Sequence, residues 1–207
     1  MNKKYNLTNN RIIVDGKTLY QIKALRDFSD VKKGDLGGFI ESEKNLSHEG
    51  KCWVYNNAMV YGNGRLNEKA RIYDGSKIFG NVKLMGNVKV CGSSIISGNM
   101  VIKIYSSLKN ARISNMHDIM CFSNFPKPNY FSCFYKTTKD GIWVNMALEL
   151  IKPDGPRIYQ IIGENDKGFD GRLADFMKYI FNIKEDERTK YLDTLEIVKM
   201  YLTSDQK

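Results

Sequence analysis

Aliphatic residues recur every six positions through the middle of the chain, in a frame that holds for ten consecutive repeats. Small residues mostly stand two positions before each of them, and Gly, Asn or acidic residues mostly two positions after. A period of six fits neither a helix nor a simple strand. The ten aliphatic positions are Val54, Val60, Leu66, Ile72, Ile78, Leu84, Val90, Ile96, Ile102 and Leu108.

Each six-residue repeat, here called a hexad, is explained by a short extended segment followed by a turn. Side chains alternate along a strand, so the aliphatic residue points inward and its two neighbours point outward. Gly and Asn tolerate positive φ and supply the turns. Three hexads make one triangular coil, and coils must stack because a single repeat cannot bury a core. Over roughly residues 50–113 the pattern resembles the hexapeptide-repeat left-handed parallel β-helix.

The frame is less regular at its two ends. Ile113 repeats the pattern five residues after Leu108, which predicts a slip of one residue in the last coil. Ile40 and Leu46 are six residues apart and predict an irregular first coil before the hexads begin. We therefore place the β-helix over residues 50–115 and expect the flanking segments to fold differently.

The flanking segments predict an N-terminal cap and a C-terminal module. Two apolar runs around Asp15-Gly16 indicate a β-hairpin, so residues 1–49 are expected to cap the exposed solenoid end. Strands around Asp140-Gly141 and helical spacing in residues 170–181 and 185–202 predict a small α+β module over residues 116–207. The predicted fold class is mainly β: a left-handed β-helix with a hairpin cap and a C-terminal module containing two helices.

The layout as a whole resembles a family of phage and prophage proteins. The matching stretches are Val14 to Glu41, Cys52 to Ile113, and His117 to Val144 with the two helices that follow. The resemblance implies the same fold and a phage context, with the host cytoplasm as the expected location, and it brings no established activity. Residues 147–165 depart from the family pattern.

The positive charge is concentrated in the repeats. The chain has a formal net charge of +9, and residues 51–115 hold ten Lys and Arg against two Asp and Glu, a net +8.

The four cysteines form no CxxC pair, so we expect thiols in a reducing cytosol. The N-terminus has no apolar stretch of a secretion signal, and no apolar run reaches the length of a membrane span.

Candidate catalytic groups are few. Many hexapeptide β-helix proteins are acyltransferases with a histidine base, but the two histidines here, His48 and His117, both lie outside the regular hexads. His117, Cys121 and Cys133 match no usual zinc spacing, and no phosphate-binding or nucleophile-elbow motif is present. We therefore expect no enzyme activity, no catalytic residue, no cofactor and no metal site, with a degenerate acyltransferase kept as an alternative.

The outward columns of the hexads carry the strongest binding signal. Residues eighteen apart share a face, so Tyr55 should lie over Tyr73 and Tyr61 over Phe79, beside rows of basic residues. Aromatic and basic side chains suit solvated β-surfaces, protein interfaces and nucleic-acid sites alike. The predicted partner-binding residues are Tyr55, Tyr61, Arg65, Arg71, Tyr73, Lys77, Phe79, Lys83 and Lys89.

These observations favour a binding function. We expect a non-enzymatic, phage-type binding protein that contacts a protein partner, for example a host defence complex inhibited in the manner of an anti-CRISPR protein. Self-association as a dimer or trimer is expected as well. A nucleic-acid-binding protein that uses the basic and aromatic surface is the first alternative, although a charge spread over several faces suits a continuous nucleic-acid track less well.

Overall fold

The computed structural model describes residues 3–104, 106–123, 130–138, 141–150, 158–161, 170–181 and 185–203. The chain divides into two compact units, residues 1–115 and 116–207. The first unit contains both the N-terminal segment and the repeats. Within the described residues, no helix combines the length and the apolar character that a membrane span requires.

The first unit is a β-solenoid preceded by three strands. The chain begins with β1 (Tyr5–Val14), β2 (Lys17–Ala24) and β3 (Leu36–Ile40), then a 3-10 helix over Glu43–Asn45. Short strands at hexad spacing follow: β4 (Trp53–Val54), β5 (Met59–Val60), β6 (Arg65–Leu66), β7 (Arg71–Ile72), β8 (Lys77–Ile78), β9 (Asn81–Gly86), β10 (Lys89–Cys91), β11 (Ile95–Ile96), β12 (Asn99–Ile104), β13 (Ser107–Lys109) and β14 (Arg112–Ile113).

Three sheets form the walls of the solenoid. The hexad strands within each sheet pair in parallel, and every third hexad returns to the same wall. Sheet 1 has the order β1-β2-β3-β5-β8-β11-β14, sheet 2 the order β4-β7-β10-β13, and sheet 3 the order β6-β9-β12. In sheet 3, Leu66 pairs with Leu84 and Leu84 with Ile102, a register of eighteen residues. The predicted fold class, a solenoid of hexapeptide repeats with three hexads per coil, is confirmed.

The ten aliphatic positions form the interior. All of them are buried, together with most of the small residues two positions earlier, such as Ala58 and Ala70. Ile95 pairs with Arg112 and Ile96 with Ile113, seventeen residues on, so the last coil is one residue short as the frame slip predicts. Ile40 pairs with Val60, twenty residues on, which makes the first coil longer than the others.

Acidic side chains at the corners tie one coil to the next. Glu68 and Asp74 adopt positive φ in the turn position. The Glu68 carboxylate accepts the backbone N–H of Gly86 at 2.8 Å, and the Asp74 carboxylate accepts that of Gly92 at 2.9 Å. Each acid therefore satisfies a backbone donor of the following coil, which offsets the conformational cost of a non-glycine residue at that corner.

The N-terminal hairpin extends sheet 1 before the first coil. β1 and β2 pair antiparallel around Asp15-Gly16, and β3 then pairs antiparallel with β2 and parallel with β5. Lys17 donates to the Glu41 carboxylate at 2.9 Å, and this contact, with a hydrogen bond from the Gly62 N–H, lowers the pKa of Glu41. The predicted hairpin is therefore confirmed, as a continuation of one solenoid wall.

The second unit is an antiparallel sheet with two helices. Its strands are β15 (Ile119–Ser123), β16 (Tyr130–Lys136), β17 (Ile142–Leu150), β18 (Ile158–Ile161) and β19 (Asp170–Arg172), and its helices are α1 (Leu173–Phe181) and α2 (Glu185–Thr203). Phe134 and Val144 of the sheet pack against Phe176 of α1 and Leu195 and Val198 of α2. The predicted small α+β module is confirmed. Most of residues 147–165, the stretch that departs from the family pattern, lies outside the described residues.

One sequence expectation about the cysteines is wrong. Cys121 on β15 and Cys133 on β16 lie directly opposite each other and form a disulfide, with their Cα atoms 4.2 Å apart. The register of β15 with β16 brings the two cysteines together, and their separation in the sequence did not predict this pairing. Cys52 and Cys91 remain thiols.

Candidate functional site

The two aromatic ladders exist, and each stacks as the eighteen-residue register requires. The rings of Tyr55 and Tyr73 lie 4.3 Å apart at an interplanar angle of 13°. Those of Tyr61 and Phe79 lie 5.1 Å apart at 11°. Parallel strands place equivalent outward side chains one above another, so stacking follows from the repeat itself.

The Tyr55 end of the first ladder is tied to the N-terminal segment. The Tyr55 hydroxyl donates to the Asp30 carboxylate at 2.9 Å, and Arg71 forms an ion pair with the same carboxylate at 3.4 Å. Arg71 also donates to the Ser29 hydroxyl. Burial, together with the bond to Asp30, raises the pKa of Tyr55. Asp30 thus occupies polar groups of two residues that the sequence assigned to partner binding.

The second ladder is largely covered by the hairpin. Tyr61 is only 3% exposed and packs with Leu19 of β2 and Phe39 of β3. Its hydroxyl donates to the carboxylate of Asp15 in the hairpin turn at 2.7 Å. Phe79 packs at the edge of the same cluster. The structure therefore gives Tyr61 an intramolecular role that the sequence analysis did not predict. The apolar residues of the predicted hairpin were the one sequence signal available for it.

Four of the five basic residues that the sequence assigned to partner binding differ from Arg71 in making no ion pair with a described carboxylate. Arg65 on β6 and Lys83 on β9 are adjacent on sheet 3, Lys77 lies on β8 of sheet 1, and Lys89 on β10 of sheet 2. Across the described parts of the chain, no carboxylate lies within ion-pair distance of any of these four. We call this set the basic girdle. It surrounds the solenoid on three walls, as the sequence predicted.

His48 is held at the N-terminal end of the solenoid. Its ring stacks on Tyr5 at 4.3 Å, and its Nδ1 accepts the backbone N–H of Lys4 at 3.2 Å. The other ring nitrogen, Nε2, therefore carries the proton and faces the Glu43 carboxylate at 3.6 Å. Because Nδ1 already accepts the Lys4 N–H, His48 helps to hold the start of β1 against the end of the solenoid.

His117 is the second residue of the second unit. It lies in a 3-10 helix, Met116–Asp118, and its ring centroid is 5.3 Å from that of Tyr201 on α2. The next residue, Asp118, is buried and pairs with Lys136 of β16 at 2.9 Å. The ion pair of Asp118 anchors the short helix, and the His117 ring lies beside the ring of Tyr201.

Comparison with known proteins gives one short similarity. No protein-family model matches the chain. A protein of Escherichia coli (strain K12) named as an uncharacterized acetyltransferase, YdcK, is 50% identical over 38 residues, which are 18% of this chain and 12% of that protein. The match is short, so the chain corresponds to a small part of that relative. It nevertheless contradicts the sequence-based expectation that the chain is not an enzyme.

Proposed function

We propose that the chain is an acyltransferase-type hexapeptide-repeat protein, which transfers an acyl group from a thioester to an amine or hydroxyl. The observation that carries the proposal is the 38-residue similarity to the acetyltransferase-named E. coli protein. The solenoid of hexapeptide repeats supports the proposal, because many proteins of this architecture are acyltransferases. The substrate class is an acyl thioester such as acetyl-coenzyme A.

His117 is the histidine that we assign as the general base. Acyl transfer needs a group that removes the proton of the attacking amine or hydroxyl. The only other histidine, His48, already uses its basic nitrogen to accept the Lys4 N–H, so it has no free lone pair for this step. His117 would take the proton as the acceptor attacks the thioester carbonyl, and the thiol would leave.

Replacing His117 with alanine should slow transfer at least about a hundredfold without unfolding the protein. General-base catalysis contributes a factor of about 100 or more, so the rate of thiol release from acetyl-coenzyme A should fall by that amount. The measurement is free-thiol release with a panel of amine and hydroxyl acceptors, together with calorimetric titration of acetyl-coenzyme A. Far-ultraviolet circular dichroism checks the fold of the variant.

Met116→Ala is the matched control for this experiment. Met116 is the adjacent residue on the same short helix and is well exposed, so its loss should leave the rate unchanged. A flat titration of the parent protein, with no thiol release above background for any acceptor, would refute the acyltransferase proposal. Equal rates for the parent and His117→Ala would remove His117 from the base role.

A second candidate function, binding of an acidic partner, is favoured by the basic girdle. Arg65, Lys77, Lys83 and Lys89 project from three walls, and no described acidic side chain neutralises them. Like-charged side chains held on a rigid scaffold attract acidic surfaces and speed association. Inhibition of a host defence complex in a phage context, self-association, and binding of nucleic acid all stay predictions. Compared with a continuous nucleic-acid track, an acidic protein surface fits a charge spread over three walls better.

Charge reversal tests the girdle directly. The double variant Lys83→Glu/Lys89→Glu should weaken binding to a labelled acidic polypeptide by about tenfold or more at low salt. Fluorescence anisotropy at low and high salt measures this, because screening should weaken the parent's binding in the same way. A labelled single-stranded oligonucleotide, measured in parallel, separates acidic protein from nucleic acid.

The control carries the same charge change elsewhere. Lys23→Glu/Lys44→Glu alters two exposed lysines of the N-terminal segment, outside the girdle, and should bind like the parent. If both double variants lose binding equally, only net charge matters and the girdle is not a site. If the parent binds neither probe at low salt, the second candidate function is refuted.

A further inference from the structure

A lysine side chain is fully buried at the N-terminal end of the solenoid. Lys4 is 0% exposed. Its ammonium nitrogen donates to the backbone carbonyl of Cys52 at 2.9 Å, lies 3.4 Å from the carbonyl of Glu49, and faces the ring of Phe28 at 5.2 Å. Lysine is almost never fully buried without a specific partner, because desolvating its charge is costly.

The closest side-chain partner of this nitrogen is a thiol. The Sγ atom of Cys52 lies 3.3 Å from Nζ of Lys4, and both groups are shielded from solvent. Cys52 occupies the inward, small-residue position of its hexad, where Ala58 and Ala70 stand in later hexads. Besides Lys4, the sulfur meets only backbone carbonyl oxygens among its hydrogen-bond contacts with described residues, those of Ser47, Glu49 and Leu66 at 3.6–3.7 Å.

We propose that Lys4 and Cys52 form a modification site, at which an oxidant joins Nζ to Sγ through one oxygen atom. The nitrogen and sulfur are already within van der Waals contact, so the bridge needs only a small closing movement. The product is a covalent N–O–S link between the first residues of the chain and the first regular coil. This inference does not depend on acyl transfer.

The chemistry balances with hydrogen peroxide as oxidant. One peroxide oxidises the thiol to a sulfenic acid and leaves as water, and a second oxidises the neutral amine to a hydroxylamine and leaves as water. The hydroxylamine oxygen then attacks the sulfenyl sulfur, whose hydroxyl departs as a third water. The amine and thiol together lose four electrons, and each of the two peroxides accepts two. A dithiol reductant reverses the link.

The environment acts on both reactants, and the link would have a structural consequence. Burial lowers the pKa of the Lys4 ammonium, which favours the neutral amine that peroxide oxidises. Burial raises the pKa of the Cys52 thiol, and the Lys4 ammonium beside it opposes that rise by stabilising the thiolate, the form that peroxide oxidises. The two residues are 48 positions apart in sequence, and the hairpin β1-β2, β3 and the first turn lie between them. A covalent link here would restrict the unfolded chain and brace the N-terminal segment against the solenoid.

Intact-mass spectrometry after peroxide treatment tests the proposal. The expected product is one oxygen heavier and two hydrogens lighter, yields a crosslinked peptide containing Lys4 and Cys52, and reverts with dithiothreitol. It should form in the parent and in Cys91→Ser, and be absent from Cys52→Ala and Lys4→Met. The linked protein should melt about 10 °C above the reduced protein.

Several results would overturn the proposal. Gain of oxygen at Cys52 without loss of hydrogen would show ordinary sulfur oxidation, with no bond to nitrogen. A Cys52 that still reacts with an alkylating agent after peroxide treatment and denaturation would show that no modification occurred. The same link in Lys4→Met would assign it to another amine. A linked protein that melts like the reduced one would overturn the bracing role.

Discussion

Replacing Leu84 with aspartate is expected to unfold the solenoid. Leu84 is 0% exposed and lies between Leu66 and Ile102, its partners on the adjacent strands of sheet 3. A carboxylate at this position would be surrounded by aliphatic side chains with no cation to pair with it. The cost of burying such a group, several kcal/mol, is comparable to the total stability of a typical domain.

Met85→Asp is the matched control for this substitution. Met85 is the next residue of the same strand, and its side chain points outward where water can solvate a charge. Thermal unfolding followed by circular dichroism should show a cooperative transition close to the parent's for Met85→Asp and none for Leu84→Asp. If Leu84→Asp melted with the parent's midpoint, the six-residue frame would not describe the core.

Replacing Gly98 with alanine should also be severely destabilising, for a reason that lies in the backbone. Gly98 has a φ of +90°, and a Cβ built there would overlap the carbonyl oxygen of Ser114. The positive φ alone costs an L-residue about 1–2 kcal/mol. The overlap with a backbone atom of the next coil adds to this, so we expect a loss of about 3 kcal/mol or more in the free energy of unfolding.

Gly75→Ala is the control for a glycine without these constraints. A Cβ at Gly75 meets nothing within 4 Å, and this residue does not have a positive φ. The substitution should be neutral or slightly stabilising, since alanine reduces the entropy of the unfolded chain. Chemical denaturation measures both variants. Equal midpoints for Gly98→Ala and the parent would show that the last coil is loose enough to move away from the added carbon.

The sequence alone predicted most of the repeat region because its physics is local and periodic. One aliphatic side chain in six must face the core, and this fixes the strand positions, the inward set and the eighteen-residue register together. The same logic located irregularities: Ile113 is paired one residue early, and Leu46 pairs with Leu66 in the longer first coil. The stacked rings of Tyr55 and Tyr73 follow from that register as well.

The tertiary structure decided what the periodic pattern could not express. Contacts between the repeats and non-repeating segments depend on how those segments fold back, and no sequence period records that. Asp30 therefore engages Tyr55, and Asp15 engages Tyr61, although both tyrosines were predicted to be partner surface. The pairing of Cys121 with Cys133 depends on a strand register in the second unit.

The candidate functional groups also divide into those that the sequence predicted and those that only the structure revealed. The sequence identified the basic girdle, since outward positions follow directly from the hexad frame. It could not predict that Lys4, forty-eight residues before Cys52, is buried against that thiol, because only the docking of β1 on the first coil joins them. The six-residue period determined which side chains face the core and which face outward. The tertiary structure decided which of the outward and N-terminal side chains bind to another part of the same chain.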